Sequence, residues 1–207
     1  MASDGFLNKA YETRSDDETR QMYDRWAATY DAEVFDQNQY QQPARCRDTL
    51  LSLQPDRDIA ILDVGCGTGL AGVALFEAGY RRIDGCDFSD GMLERAQALQ
   101  LYQRLFNADL NQPPMDVPDA HYDAATVVGV FSFGHVQAAA VDEILRVCKP
   151  GAPVIIGLND HFYQEGSLTH HIAQLDDAGV IDHIGDEAGE HLPGIDLPGW
   201  VISLRKR

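Results

Sequence analysis

Three aspartates and a run of glycines carry most of the chemistry legible in this chain. Asp63 opens the stretch Asp63-Val64-Gly65-Cys66-Gly67-Thr68-Gly69-Leu70, where an apolar run gives way to alternating glycines and then to a helical pattern. Glycine admits positive φ and lets a ligand approach the backbone, and a helix start just beyond it offers unpaired N–H groups. The turn is built to cradle a ligand, and two nucleotide cofactors suit it. Gly67-x-Gly69-x-x-Gly72 satisfies the dinucleotide pattern G-x-G-x-x-G, which makes an NAD-dependent oxidoreductase one reading. In that register the strand runs through Gly65 and leaves Asp63 mid-strand in a sheet covered on both faces, a costly place for a carboxylate. In the other register Asp63 stands at the strand's C-terminal end beside the ligand, which is where open α/β sheets bind.

Further candidates follow the later apolar runs. Asp87 and Asp109 each end one, and His135 lies just past another. A histidine there can deprotonate an oxygen or nitrogen nucleophile, or it can make ordinary hydrogen bonds at a helix start. Asn159, Asp160 and His161 follow the next run and face the same crevice by topology, either to orient a substrate or as plain loop polarity. Metal is not expected: Val130 to His135 lacks a carboxylate, and His161, His170 and His171 have no ligand spacing. Cys46, Cys66, Cys86 and Cys148 form no Cys-x-x-Cys pair, so they read as reduced intracellular thiols.

The elements that position these residues follow from the apolar rhythm. Ile59 to Val64, Arg82 to Cys86, Arg104 to Ala108, Ala124 to Val130 and Pro153 to Leu158 read as strands. Leu70 to Ala78, Gly91 to Leu101 and Val136 to Val147 read as the helices between them, with Gly79 as a C-terminal cap and Ser89 as an N-cap. That alternation implies an α/β fold: a Rossmann-like parallel sheet with helices on both faces. A helix from Ser167 to Ala178 is followed by strands Val180 to Ile184 and Trp200 to Leu204, completing seven. Only turns at Pro193-Gly194 and Pro198-Gly199 separate the last two, so the final strand is expected to be antiparallel. Ahead of the sheet, Met22, Trp26 and Tyr30 recur at helical spacing, and Pro43 to Leu53 reads as a second helix. Residues 1–56 are expected to form a helical lid segment on a domain spanning 57–207.

The chain has 207 residues with a formal net charge of -17, and its only lysines are Lys9, Lys149 and Lys206. A surface this acidic repels phosphate backbones and anionic headgroups, so neither nucleic acid nor membrane is an expected partner. No apolar run approaches the roughly 20 residues of a membrane span. The N-terminal MASDGFLNKA lacks a charged region followed by an apolar one, which points to a cytoplasmic protein. The sequence leaves the oligomeric state open.

Four motifs in order resemble class I S-adenosylmethionine-dependent methyltransferases. They are the glycine turn after Asp63; Asp87-Phe88-Ser89-Asp90-Gly91-Met92-Leu93, similar to D-x-S-x-x-M-L; the turn Asn107-Ala108-Asp109-Leu110; and Leu145-Arg146-Val147-Cys148-Lys149-Pro150-Gly151-Ala152, which departs from L-R-x-x-K-P-G-G only at Ala152. More narrowly, Tyr23-Asp24-x-Trp26-Ala27-x-x-Tyr30-Asp31 and the stretch Gly129 to Val136 are similar to the Williams-Beuren-syndrome-region methyltransferase group.

The resemblance implies S-adenosylmethionine as cofactor and methyl transfer to a small-molecule acceptor. It implies that Asp63, Gly65, Gly67 and Gly69 hold the methionine end, with Trp26 and Tyr30 closing over it. Asp87 would grip the ribose hydroxyls next to Phe88, Asp109 would accept from the adenine amine, and Leu110 and Met92 would flank the ring. His135 is the candidate catalytic base. Each residue has a plainer reading: Asp63 and Asp109 as turn residues, Asp87 as a helix-dipole charge, Met92, Trp26 and Tyr30 as core. A catalytically silent module that only binds the cofactor is a further alternative.

Overall fold

The computed structural model describes residues 16–27, 38–132 and 136–207. Tyr30 and His135 lie outside the described residues, as does the side chain of Trp26.

Among the described residues, seven strands form one sheet in the order β3-β2-β1-β4-β5-β7-β6. They are β1 (Ala60–Val64), β2 (Arg82–Asp87), β3 (Arg104–Asn107), β4 (Ala124–Val128), β5 (Pro153–Asn159), β6 (Ile181–Leu192) and β7 (Leu197–Lys206). The first five pair in parallel, while β7 runs antiparallel to both β5 and β6. The C-terminal ends of β1 to β6 therefore share one edge. The order reverses at β1 and β4, and such switch points are where open α/β sheets leave a ligand crevice.

The helices are α1 (Asp16–Trp26), α2 (Gln42–Leu53), α3 (Leu70–Glu77), α4 (Asp90–Ala98), α5 (Ala140–Val147), α6 (Asp160–Glu165) and α7 (Ser167–Asp177). Alternation along the strands divides the core in two. Leu62, Val64, Val127, Ile156 and Ile202 face the layer that holds Val141, Ile144 and Ile172. Ile61, Ile83, Ile155 and Val201 face the layer that holds Cys46, Leu50, Leu75 and Tyr80. Every residue of β5 is buried, as expected of a strand covered on both faces. Each fully buried Leu or Ile contributes about 1.5–3 kcal/mol.

The helix α2 is fastened to the sheet by polar contacts as well. The Arg45 guanidinium donates to the carbonyls of Glu187 at 2.7 Å, Glu190 at 3.1 Å and Gly199 at 3.3 Å. The Gln42 amide donates to the Trp200 carbonyl.

Three local expectations need correction. Ala124 to Val130 is shorter as a strand, because Gly129 takes φ 74° and turns the chain away. Both terminal strands extend well beyond Val180 to Ile184 and Trp200 to Leu204. The polar stretch after Asn159 contains the short helix α6, started by the Asn159 side chain accepting from the Phe162 amide at 2.9 Å and ended by Gly166 at φ 90°.

Candidate active site

The turn after β1 lies on the ligand edge of the sheet. Gly65, Gly67 and Gly69 have φ of 61°, 55° and 102°, a left-handed region costly for residues with a Cβ. The turn is pinned by the Cys66 amide donating to the Cys86 carbonyl and by the Gly69 amide donating to the Cys66 carbonyl, both at 2.9 Å. A Cβ on Gly67 would meet nothing within 4 Å, whereas one on Gly65 would stand 2.4 Å from Val130. Open space over the middle glycine is what an incoming ligand requires.

Asp87 ends β2 and bridges two backbone segments. Its carboxylate accepts from the Gly67 amide and the Ser89 amide, each at 2.9 Å. Burial pushes its pKa up to about 6, against the pull of the amides of Ser89, Gly67 and Phe88 and with a further push from the nearby Asp24 carboxylate. The group thus fixes the glycine turn relative to the start of α4.

Asp63 faces the α2–α3 side of β1, 1 % exposed. One oxygen accepts from the Tyr102 hydroxyl at 2.7 Å and the other from Thr126 Oγ1 at 3.2 Å. Burial pushes its pKa up to about 7, opposed by these two hydrogen bonds. Tyr102 also accounts for the third glycine of the dinucleotide pattern: a Cβ on Gly72 would stand 2.2 Å from its hydroxyl. Gly72 is small because a tyrosine lies against it, and the motif needs no dinucleotide to explain it.

Asp109 follows β3 and accepts from the Asn111 amide at 2.9 Å and from the Gln112 side chain at 2.8 Å. Beside it stands Arg20 of α1, with Nη2 3.9 Å from Asp109 and the guanidinium carbon 5.8 Å from the centre of the Phe88 ring. Met92 and Leu110 are buried nearby in sequence to these groups; the Met92 amide donates to Ser89 Oγ at 3.1 Å, the N-cap bond of α4.

On the same edge, past β4 and β6, Tyr40 meets His191 edge-on with ring centroids 5.1 Å apart. Its hydroxyl lies 2.7 Å from where a Cβ on Gly129 would be. Burial pushes the His191 pKa down to about 4, with Arg45 acting in the same direction. Asn159 and Asp160 are engaged locally: Asn159 caps α6, and Asp160 accepts from the Trp200 indole at 2.8 Å. Tyr40, Tyr102 and Arg20 are not marked by any motif, and Asp24 stands in the Tyr23 to Asp31 motif without a role, because nothing in local spacing ties these residues to others tens of positions away. Among the described residues no group of His, Cys, Asp or Glu could hold a metal ion, and no helix is long and apolar enough to cross a membrane.

A parallel sheet reversing at β1 and β4, with a glycine turn and an acid at the next strand end, is a Rossmann-like fold whose crevice suits a nucleotide-type ligand. Residues 61–151 match the family described as a methyltransferase domain. This stretch is similar to class I S-adenosylmethionine-dependent methyltransferases. It is 43% identical over 137 residues to human methyltransferase-like protein 27, covering 65% of this chain and 55% of that protein, in agreement with the Williams-Beuren-region pattern. A malonyl-[acyl-carrier protein] O-methyltransferase of Methylovorus sp. is 36% identical over 140 residues, 63% of this chain and 46% of that protein. The matched part of this chain thus spans about half the length of these curated relatives.

Two solved structures share the fold at low identity. A Burkholderia thailandensis 1,6-didemethyltoxoflavin-N1-methyltransferase, with 1,6-didemethyltoxoflavin and S-adenosylhomocysteine bound, superposes with a TM-score of 0.65 at 15% identity, over 94% of this chain and 92% of that one. The [4+2]-cyclase SpnF superposes with a TM-score of 0.69 at 17% identity, over 94% and 97%.

Proposed function

We propose that this chain binds S-adenosylmethionine along the glycine edge of the sheet and catalyses methyl transfer to a small-molecule acceptor, leaving S-adenosylhomocysteine. The observation that carries this reading is Asp87, whose carboxylate joins the Gly67 turn to the start of α4 beneath open space. When bound, the cofactor supplies an electrophilic methyl group on a sulfonium. The protein's share is binding, orientation and exclusion of water.

In this reading Gly65, Gly67 and Gly69 receive the methionine end, with Trp26 and Tyr30 above it as lid residues ahead of α2. Asp87 accepts from the ribose hydroxyls next to Phe88. Asp109 accepts from the adenine amine through the lone pairs its local bonds leave over, and Met92 and Leu110 shape the ring's slot. Asp63 acts from behind the turn as a negative charge favouring a cationic ligand. His135 takes the proton that an oxygen, nitrogen or sulfur nucleophile releases as its bond to carbon forms and the carbon–sulfur pair returns to sulfur.

A net charge of -17 favours an uncharged or cationic small acceptor over a polyanion. A cytoplasmic setting is part of the same reading, and four free cysteines suit it. The test pairs calorimetry using S-adenosylhomocysteine with a labelled-methyl turnover screen over thiols, amines, phenols and carboxylates. Binding lost in Asp87→Ala together with turnover on one acceptor class supports the reading. Tight binding with uniform failure of turnover points instead to a silent cofactor module, a possibility to which the cyclase on the same fold lends weight.

A further inference from the structure

We infer that α1 forms one wall of the adenosyl site, with Asp24 clasping the helix to the start of α4 and Arg20 presenting its guanidinium to the adenine. The inference rests on the cofactor reading above and assigns two residues that the family motifs leave without a role.

Asp24 makes the clasp. One of its carboxylate oxygens accepts from Ser89 Oγ at 2.5 Å and from the Gly91 amide at 3.2 Å. Ser89 in turn caps α4, and its own amide donates to Asp87. A Cβ on Gly91 would lie 3.1 Å from the Asp24 backbone, so the glycine lets α1 come this close. The same short segment, Asp87 to Gly91, thus grips the ribose side on one face and α1 on the other.

Arg20 stands one turn earlier on α1, the spacing that puts two side chains on one helix face. It hangs over the Phe88 ring and beside Asp109. Its Nε is buried and has no hydrogen-bond partner among the described residues, although a buried N–H ordinarily finds an acceptor. An adenine edge carries ring-nitrogen acceptors, and its face attracts a planar cation. The side chain as a whole is 40 % exposed, so its terminal nitrogens stay open to a ligand bound between Phe88 and Asp109.

The experiment uses the 207-residue chain at pH 8, where Asp87 is ionised. It measures calorimetric affinity for S-adenosylhomocysteine and for 5′-methylthioadenosine, which shares the adenosyl half only, and dissociation rates by stopped flow. Arg20→Ala is expected to weaken both ligands by the same factor, about five- to thirtyfold. Arg20→Lys should recover only part of the loss, because an ammonium offers no planar face. Asp24→Ala should raise the dissociation rate about five- to tenfold while association stays within about twofold, a split that general destabilisation would not produce.

Arg25→Ala, on an exposed side chain that among the described residues bonds to the Gln21 carbonyl, should leave both affinities unchanged. An Arg20→Ala protein that binds both ligands as tightly as the wild type, or more tightly, overturns the inference. So does a loss confined to S-adenosylhomocysteine, which would place Arg20 at the methionine half. Wild-type protein that binds neither ligand overturns the cofactor reading itself, a result distinct from either of these.

Discussion

The hydroxyl of Tyr102 donates to Asp63 Oδ2 at 2.7 Å, joining the loop before β3 to the strand that carries the glycine turn. Asp63 is buried and Tyr102 half-buried on the α2–α3 side of the sheet, and Thr126 supplies Asp63 with its second donor. The carboxylate is therefore held from behind the turn, and the glycines around it are shaped by the tyrosine ring as much as by any ligand.

The crowding at Tyr102 makes Gly72, in the first turn of α3, sensitive to any added side chain. A Cβ there would stand 2.2 Å from the hydroxyl and 2.5 Å from the carbon that bears it. Gly72→Ala is expected to cost about 1–3 kcal/mol in urea unfolding. Tyr102→Phe costs about 1–3 kcal/mol on its own by leaving buried Asp63 short of a donor. In the double variant the penalty of the alanine should shrink, because the closest atom is gone. Strictly additive losses would show that Tyr102 is not what confines Gly72.

The two buried acids set a pH dependence with opposite signs for the free and the liganded protein. Burial raises Asp63 from 3.8 to about 7 and Asp87 from 3.8 to about 6. The folded chain thus holds more protons than the unfolded chain between about pH 4 and pH 7, and its stability falls as pH rises through that window. A ligand that prefers the ionised carboxylates reverses the trend. S-adenosylhomocysteine affinity should strengthen from pH 5 to pH 8, while the melting temperature of the free chain declines over the part of that range below pH 7. An affinity flat across this range in the wild type would show that neither acid meets the ligand.

Which parts were legible from sequence follows from what local pattern can encode. The five parallel strands are short apolar runs ended by glycine or an acid, and Asp87 and Asp109 announce themselves as acids at such ends. By contrast, β6 beyond Ile184 hides because it is the sheet's edge. Apolar burial is confined to Ile181 and Leu192 near its ends, while Asp182, Asp186, Glu187 and Glu190 alternate with glycines along a face open to water. Such charges blunt an edge against unwanted pairing and erase the strand signal. The α1 contacts hide for another reason. Arg20 and Asp24 acquire meaning only because α1 is brought against α4, a juxtaposition across more than sixty residues that no spacing rule carries.

Asn159 illustrates a polar strand-end residue whose structure-building role is specific. Its side chain accepts from the Phe162 amide at 2.9 Å while 5 % exposed, and so starts α6. Asn159→Ala is expected to cost about 1 kcal/mol, a fall of about 2–4 °C in melting temperature for a chain of this size. Asn159→Asp and Asn159→Ser, which keep a capping oxygen, should retain most of the stability. If Asn159→Asp unfolds at the alanine variant's temperature, the cap is not what the asparagine provides.

Arg146 belongs to the motif Leu145 to Ala152, yet its bonds run away from the cofactor edge. Its guanidinium pairs with the 7 % exposed Glu143 through two bonds, Nε to Oε2 at 2.8 Å and Nη2 to Oε1 at 2.7 Å. It also reaches Asp119 at 2.5 Å and the carbonyls of Val117 at 2.9 Å and Met115 at 3.2 Å, while Glu143 accepts from the Met115 amide at 2.7 Å. One arginine thus ties α5 to the loop that leads into β4, and Lys149 of the same motif does likewise with Asp123 at 2.6 Å. Arg146→Lys keeps the charge but cannot reproduce the two-pronged geometry, and should cost about 1–3 kcal/mol. Arg146→Ala leaves Glu143 buried without its partner and should cost about 3–5 kcal/mol. The hydrogen bond from Arg146 is the main cause that holds the Glu143 carboxyl below its ordinary 4.5. Its stabilising share is present above pH 4.5 and is lost as pH falls through the lowered value. Acid unfolding of the alanine variant should therefore begin at higher pH than in the wild type. S-adenosylhomocysteine affinity, measured at pH 8 where both proteins remain folded, should be the same for the two. A selective loss of affinity with stability intact would place this arginine in the binding site instead.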